Sequence, residues 1–124
     1  ALKTTLRRCM EATGKYKRYF LNFFLAYSGT DDMRQAFEQV ARLLKPGEAV
    51  ADGMIKNHLM TRELPPVDLL IRTGGEPHLS AGFMMWDIAD AQLFFSDKHY
   101  PDFGTEAFAA AITEYQSRSR RHGA

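Results

Sequence analysis

Cysteine is nearly absent, Cys9 being the single example among 124 residues. A lone thiol excludes an intrachain disulfide framework and a zinc site built from several thiolates, so Cys9 is expected as a small core residue. Long apolar runs are missing as well. None approaches the ~18 to 20 residues that span a bilayer, and the charged, apolar and small-residue pattern of a secretory signal does not open the chain. A soluble, cytoplasmic protein is the expectation. The net charge is only +1, which names no partner. Repeats, linkers and low-complexity tracts are also lacking. What is present is an ordinary globular composition, 45% hydrophobic and 25% charged, which excludes disordered, collagen-like and coiled-coil classes. The length suits one domain.

Charge is uneven along the chain. Residues 1–18 carry six basic and one acidic side chain, 19–111 seven and thirteen, and 112–124 three and one. Basic ends around an acidic middle are usually solvated surface. Without a recognised module or aromatic–basic interleaving, nucleic-acid binding is not expected.

Leu2, Leu6, Cys9 and Met10 recur at helical spacing, so an amphipathic helix opens the chain, with Gly14 as its stop. Arg18 to Tyr27 is almost continuously apolar and aromatic and predicts a strand buried on both faces. Thr30 is placed to cap a second helix, with Asp31 and Asp32 in its first turn. Met33, Phe37, Val40, Ala41 and Leu44 form its apolar face, and Pro46-Gly47 follows. Asp52 begins a shorter helix reaching His58 to Met60. After Pro65-Pro66, Val67 to Arg72 predicts a strand running into Thr73-Gly74-Gly75, and Ala91 to Ser96 predicts another. A last helix after Gly104 places Phe108, Ala111, Ile112 and Tyr115 on one face.

Strands separated by helical connections imply an α/β fold, a parallel sheet with flanking helices. Three strands are few, since an open sheet usually has about 5 to 6. Residues 1–124 are therefore expected to be the C-terminal part of a single larger domain.

Ligands of such sheets gather at strand C-terminal ends. The segment Ile71-Arg-Thr-Gly-Gly-Glu-Pro-His-Leu-Ser80 is in that position. Arg72 offers a fixed fork of donors, Ser80 a hydroxyl, and the glycines allow backbone amides to approach an anion. A glycine turn beside a surface ion pair is an equally weighted reading, because neither a Walker loop nor a GxGxxG fingerprint is present. His78 suits phosphate binding or surface exposure. Asp87 and Asp90 suit a magnesium ion or, more commonly, solvated positions around Trp86. Met84-Met85-Trp86 and Phe94-Phe95 suit the core or the wall of an apolar tunnel. Arg118, Arg120 and Arg121 form a basic tail, mobile unless an anion orders it.

Pro66-Val-Asp-Leu-Leu-Ile-Arg-Thr-Gly-Gly-Glu76, Leu79-Ser80, Phe83-x-x-Trp86, Leu93-x-Phe95 and Pro101-Asp-Phe103 together resemble the C-terminal signature of the cis-prenyltransferases, the undecaprenyl diphosphate synthase family. Leu21-Asn22, Tyr27-x-Gly29 and Arg121-His-Gly123 match earlier and later parts of the same pattern, in order and end to end. The resemblance implies a C-terminal fragment of the cis-prenyltransferase fold. In the family, isopentenyl diphosphate is added to an allylic diphosphate with a new cis double bond, Mg²⁺ assisting. It implies that Arg72 and Ser80 grip isopentenyl diphosphate, with His78 beside them, and that Arg121 and Gly123 reach the same site from a second copy in a homodimer. No covalent nucleophile is needed, so no catalytic residue is assigned. The enzyme would be cytoplasmic and peripheral to the membrane, with a membrane-associated lipid product.

Three positions depart from the family pattern. His78 stands where the family has a second diphosphate-binding arginine, and Gln92 where it has a metal-associated glutamate. Ala26-Tyr-Ser-Gly-Thr30 replaces Asn-Tyr-Gly-Gly-Arg. The family's Asp-Gly-Asn-Arg motif, which holds the metal and the allylic diphosphate, has no match in residues 1–124. Histidine in place of a permanent cation weakens the phosphate clamp, and an amide in place of a carboxylate weakens the Mg²⁺ ligand set. A non-catalytic partner subunit of a cis-prenyltransferase is therefore the alternative.

Overall fold

The computed structural model describes residues 1–118, so Arg120, Arg121 and Gly123 lie outside the described residues. Helix α1 (Leu2–Thr13) forms where the apolar spacing predicts it, but none of its residues is buried. Gly14 keeps a right-handed conformation, φ −60°, and is not the left-handed cap expected. Cys9 is exposed, which corrects its assignment to the core. Only Leu6 on that face is half-buried, so the packing a core thiol needs is not supplied there.

The larger departure is the apolar run after α1. Residues 18–27 form no strand, and Tyr19, Phe20, Leu21, Phe23 and Leu25 are all more than half exposed. Strand burial on both faces requires ladder neighbours. The two strands among the described residues pair with each other and leave this run without a ladder. Only Phe24 and Tyr27 turn inward, where they meet Phe83 edge-to-face with centroids 5.2 and 5.8 Å away, and each other at 4.9 Å.

Helix α2 (Gly29–Leu43) is capped by Ser28, whose Oγ accepts the Asp31 N–H at 3.3 Å; Thr30, the expected cap, lies inside the helix and hydrogen-bonds Ser28 through its hydroxyl. Asp31 and Asp32 occupy the first turn as predicted. The buried stripe is Gly29, Asp32, Ala36 and Val40, and Phe37 stays 47% exposed. Small residues line that stripe because α2 packs backbone-close: a Cβ on Gly29 would lie 1.8 Å from the Gly82 carbonyl oxygen. The helix foreseen after Asp52 is a single 3₁₀ turn, Lys56–His58, followed by the buried Leu59 and Thr61.

Strands β1 (Leu69–Thr73) and β2 (Gln92–Ser96) pair in parallel, Leu69 opposite Gln92 through Thr73 opposite Ser96. The segment between them crosses over through a turn at Ser80–Gly82 and a run of tight turns to Asp90. Leu70, Met84 and Ile88 form the core, with Phe24, Tyr27, Leu64, Val67 and Leu79 packed against it. Helix α3 (Thr105–Ser117) buries only Ala111 of its predicted face. The α/β class holds, a parallel sheet with flanking helices, with two strands among the described residues where three were expected. No helix among the described residues is long and apolar enough to cross a membrane.

Candidate functional site

A cavity of about 440 Å³ opens between β1, the end of the 18–27 run and the Leu79–Met84 turn. Phe24, Leu70, Phe83, Met84 and Ile88 make its wall apolar, and Arg72 and Ser80 both line it. The sequence-predicted donors are thus brought together, eight residues apart in the chain, because β1 ends at the loop that leads back to Ser80.

Arg72 is two-thirds covered, and its Nη2 donates to the Glu76 carboxylate at 3.0 Å. Its Nε is buried and has no partner among the described residues. His78 does not line the cavity. It is 62% exposed, with Nε2 3.6 Å from the same Glu76 oxygen. One carboxylate therefore lies between the two side chains expected to hold phosphate.

The glycines act differently from the expectation. Gly74 and Gly75 do adopt left-handed backbone, φ +96° and +74°. Their N–H groups, however, donate to the carbonyls of Lys98 and Ser96 at 2.8 and 3.0 Å. The end of the parallel neighbour takes both amides, so they do not form a backbone anion cradle, and the side chains of Arg72 and Ser80 carry the polar role.

Tyr27 lines the cavity and donates its hydroxyl to Asp32 Oδ2 at 3.0 Å. Burial first, and then the hydrogen bond and charge of Asp32, push its pKa well above the ordinary tyrosine value, so it stays a neutral donor. Asp32 Oδ1 accepts the Met60 N–H at 2.8 Å, tying α2 to the 56–61 segment.

Asp87 is neither solvated nor free for a metal. It is 5% exposed, paired with the Lys56 ammonium and hydrogen-bonded by the Thr61 hydroxyl at 2.5 Å. Asp90 is exposed. Phe83 and Met84 contribute to the cavity wall, whereas Trp86 and Phe95 are about 40% exposed and do not line it. Arg118 is anchored by the Leu93 carbonyl and Glu114. Gln92 opens β2 outside the cavity lining, its Oε1 buried with no donor among the described residues. No group of three His, Cys, Asp or Glu side chains among the described residues is placed to hold a metal ion. These residues do not by themselves fit a magnesium site. Tyr27's hydroxyl role, Lys56 and Thr61 were missed in the sequence. Tyr27 had a motif around it, but Lys56 and Asp87 are 31 positions apart and carry no local signal.

A second cavity of about 570 Å³ lies beside Ile71, Thr73, Tyr100, Phe103 and Phe108, and no charged side chain lines it. An anionic group is held better in the first, where a cation, a hydroxyl and an apolar wall converge on a space suited to an amphiphile with a charged head and a short hydrocarbon.

The chain is similar in sequence and in fold to known proteins. The chain is 40% identical to an isoprenyl transferase of Zymomonas mobilis over 98% of its length, covering 50% of that protein. It is 41% identical to the ditrans,polycis-undecaprenyl-diphosphate synthase of Haemophilus influenzae over 98% of its length, covering 52% of that protein. The crystal structure of lavandulyl diphosphate synthase from Lavandula x intermedia, in complex with dimethylallyl diphosphate, superposes with a TM-score of 0.87 at 28% identity. That superposition covers 99% of this chain and 54% of the lavender one. The chain spans about half the length of the curated relatives it matches. The prenyltransferase family model, described as undecaprenyl diphosphate synthase, matches residues 1–123, and the chain belongs to that family.

Proposed function

We propose that the protein carrying this chain condenses isopentenyl diphosphate with an allylic diphosphate to give a cis-polyprenyl diphosphate, and that residues 1–118 supply the wall of the site that holds isopentenyl diphosphate. The observation that carries this reading is Arg72, whose side chain lines the same apolar cavity as Ser80 at the end of β1. A diphosphate would compete with Glu76 for the forked guanidinium donors, and the C5 tail suits the Phe24, Phe83 and Met84 wall. Two diphosphates repel, so a fixed cation that orients one of them against the other lowers the barrier through positioning and charge stabilisation. Glu76 must release or share Arg72 when the ligand arrives, which sets an electrostatic threshold for binding.

His78, beside Glu76, extends the clamp, and Arg121 and Gly123 of a second copy complete it. The homodimer, the magnesium ion, the cytoplasmic setting and the lipid product's membrane association are carried from the family resemblance. The described residues offer no ligand set for magnesium. Catalysis needs the half of the relatives that this chain does not span. Residues 1–124 alone, given radiolabelled isopentenyl diphosphate, an allylic primer and Mg²⁺, should bind the former and form no polyprenyl product. Robust product from the fragment, or no isopentenyl diphosphate affinity in an intact protein, would overturn the reading.

The non-catalytic partner subunit keeps support from a specific observation: His78 and Gln92 replace an arginine and a glutamate of the family pattern, and the Gln92 oxygen is buried without a donor. An intact Asp-Gly-Asn-Arg segment in the complete protein favours the enzyme, and its absence favours the silent subunit.

A further inference from the structure

Three non-glycine residues among those described have positive φ: Ala26 at +52°, Ala81 at +48° and Met84 at +47°. All three line the Arg72–Ser80 cavity. Left-handed backbone is strained for an L residue and persists only where the surroundings over-determine it. At Met84 the source of that constraint is traceable. Its carbonyl accepts the N–H groups of Asp87 and Ile88 at 2.8 and 3.1 Å, closing the turn on Asp87.

Asp87 is in turn held from outside the cavity. Its carboxylate meets the Lys56 ammonium and the Thr61 hydroxyl, and its carbonyl accepts the Val67 N–H at 2.9 Å. The same ammonium donates to the Thr61 carbonyl at 2.6 Å. Neither Lys56, Thr61 nor Asp87 lines the cavity. Buried ion pairs add little net stability compared with apolar packing, but breaking one leaves an uncompensated charge, so such a pair specifies one arrangement strongly.

We propose that Lys56, Thr61 and Asp87 are positioning residues, a buried polar clamp that holds the Phe83–Ile88 turn in its strained form and so sets the apolar wall against which the isopentenyl tail lies. The substrate part rests on the function proposed above; the clamp itself does not. The clamp joins three segments distant in sequence, 56–61, 67 and 84–88, and its loss frees Met84 to relax to ordinary backbone. The wall then moves while Arg72 and Ser80 remain on their own elements.

The test uses the complete protein with Asp87→Asn, which keeps shape and removes charge, and Thr61→Val, which keeps volume and removes one hydrogen bond. Hydrogen exchange is followed at the amides of Asp87 and Ile88 and, for reference, of Ala36 and Val40 in α2. Acrylamide quenching of Trp86, the single tryptophan of residues 1–124, reports the same turn once any tryptophan outside them is replaced by phenylalanine. Exchange at 87–88 should accelerate and quenching rise in both variants, more in Asp87→Asn, while α2 stays protected. The KM for isopentenyl diphosphate should rise about ten- to hundredfold in Asp87→Asn, the scale of a wall misplaced by about 1 Å, with kcat little changed. Unchanged exchange and quenching in Thr61→Val would overturn the proposal, even where Asp87→Asn fails to fold. Equal acceleration in α2 and the turn would also overturn it, reducing the clamp to general stability. A wild-type protein without isopentenyl diphosphate affinity would remove the proposed substrate, and the exchange result would still decide the clamp.

Discussion

Replacing Gly29 by alanine probes the close approach of α2 to the Ser80–Gly82 turn. The new Cβ would stand 1.8 Å from the Gly82 carbonyl oxygen, 2.8 Å from its carbon and 3.5 Å from the Ala81 oxygen. Ordinary contact needs about 3.5 Å, so one element must retreat by roughly 1.5 Å. The obstacle is backbone with no flexible side-chain end to swing away, and either the start of α2 or the Ser80–Gly82 turn moves as a body. Overpacking of this kind costs about 1–3 kcal/mol, and backbone against backbone belongs at the upper end. At the length of the relatives, this lowers Tm by roughly 5–10 °C, using about 2–4 °C per kcal/mol. Ser80 moves with its turn, and displacement near 1 Å at a binding hydroxyl reduces affinity for isopentenyl diphosphate up to about hundredfold. Thermal unfolding and titration calorimetry on the complete protein read both effects. Gly104→Ala is the control, because a Cβ there meets nothing within 4 Å; its helix-capping penalty stays near ~1 kcal/mol, with affinity unchanged. A Gly29→Ala protein matching wild type in Tm and affinity would refute the packing argument.

Arg72→Ala removes a charged, forked donor and should lower kcat/KM about ten- to hundredfold through KM for isopentenyl diphosphate, with Arg72→Lys recovering only part; an unchanged kcat/KM would take Arg72 out of the site. Tyr27 titrates high in the folded state because of burial and Asp32. Its stabilising contribution is therefore full below the ordinary tyrosine pKa of about 10 and is lost as pH rises through the folded value. Urea unfolding from about pH 8 to about pH 11 should show stability falling with pH, and Tyr27→Phe should flatten that slope while lowering neutral stability; identical slopes would refute the assignment. Gln92→Glu places a carboxylate where a buried oxygen has no donor, so Tm should fall, and millimolar Mg²⁺ should not restore it, since no metal-holding group of acids or histidines is nearby among the described residues. A magnesium-dependent recovery of Tm would reveal a ligand set beyond them.

Much of this protein was legible from local pattern. The Val67–Arg72 and Ala91–Ser96 runs became β1 and β2 with shifts of one or two residues at their ends, because short apolar runs bounded by turn residues have few alternatives. Helices α1, α2 and α3 formed where their apolar spacing predicted them, but of the predicted faces only Val40 and Ala111 are buried. Arg72 at a strand end and Ser80 beyond the glycines could be paired from topology alone. The run from Arg18 to Tyr27 failed for a definite reason. Its composition specifies burial, whereas strand structure requires a ladder partner, and the described residues provide none.

What the sequence by itself determined was therefore composition-level and periodic: an α/β chain, the order of its three long helices and two paired strands, the cation and hydroxyl bracketing a glycine turn, and a resemblance to the undecaprenyl diphosphate synthase family. Tertiary structure decided which of those groups remain available. Gly74 and Gly75 have the right backbone for anion binding, but the end of β2 takes their amides. Asp87 has the chemistry of a metal ligand or a solvated surface acid, but Lys56 and Thr61 engage its carboxylate. Cys9 looks like a core residue on a helix that buries nothing. The physical reason is common to all three. Residue type states what a group can bind, and local periodicity states which face it occupies, but its partner is chosen by chain segments tens of residues away, whose approach no local pattern encodes.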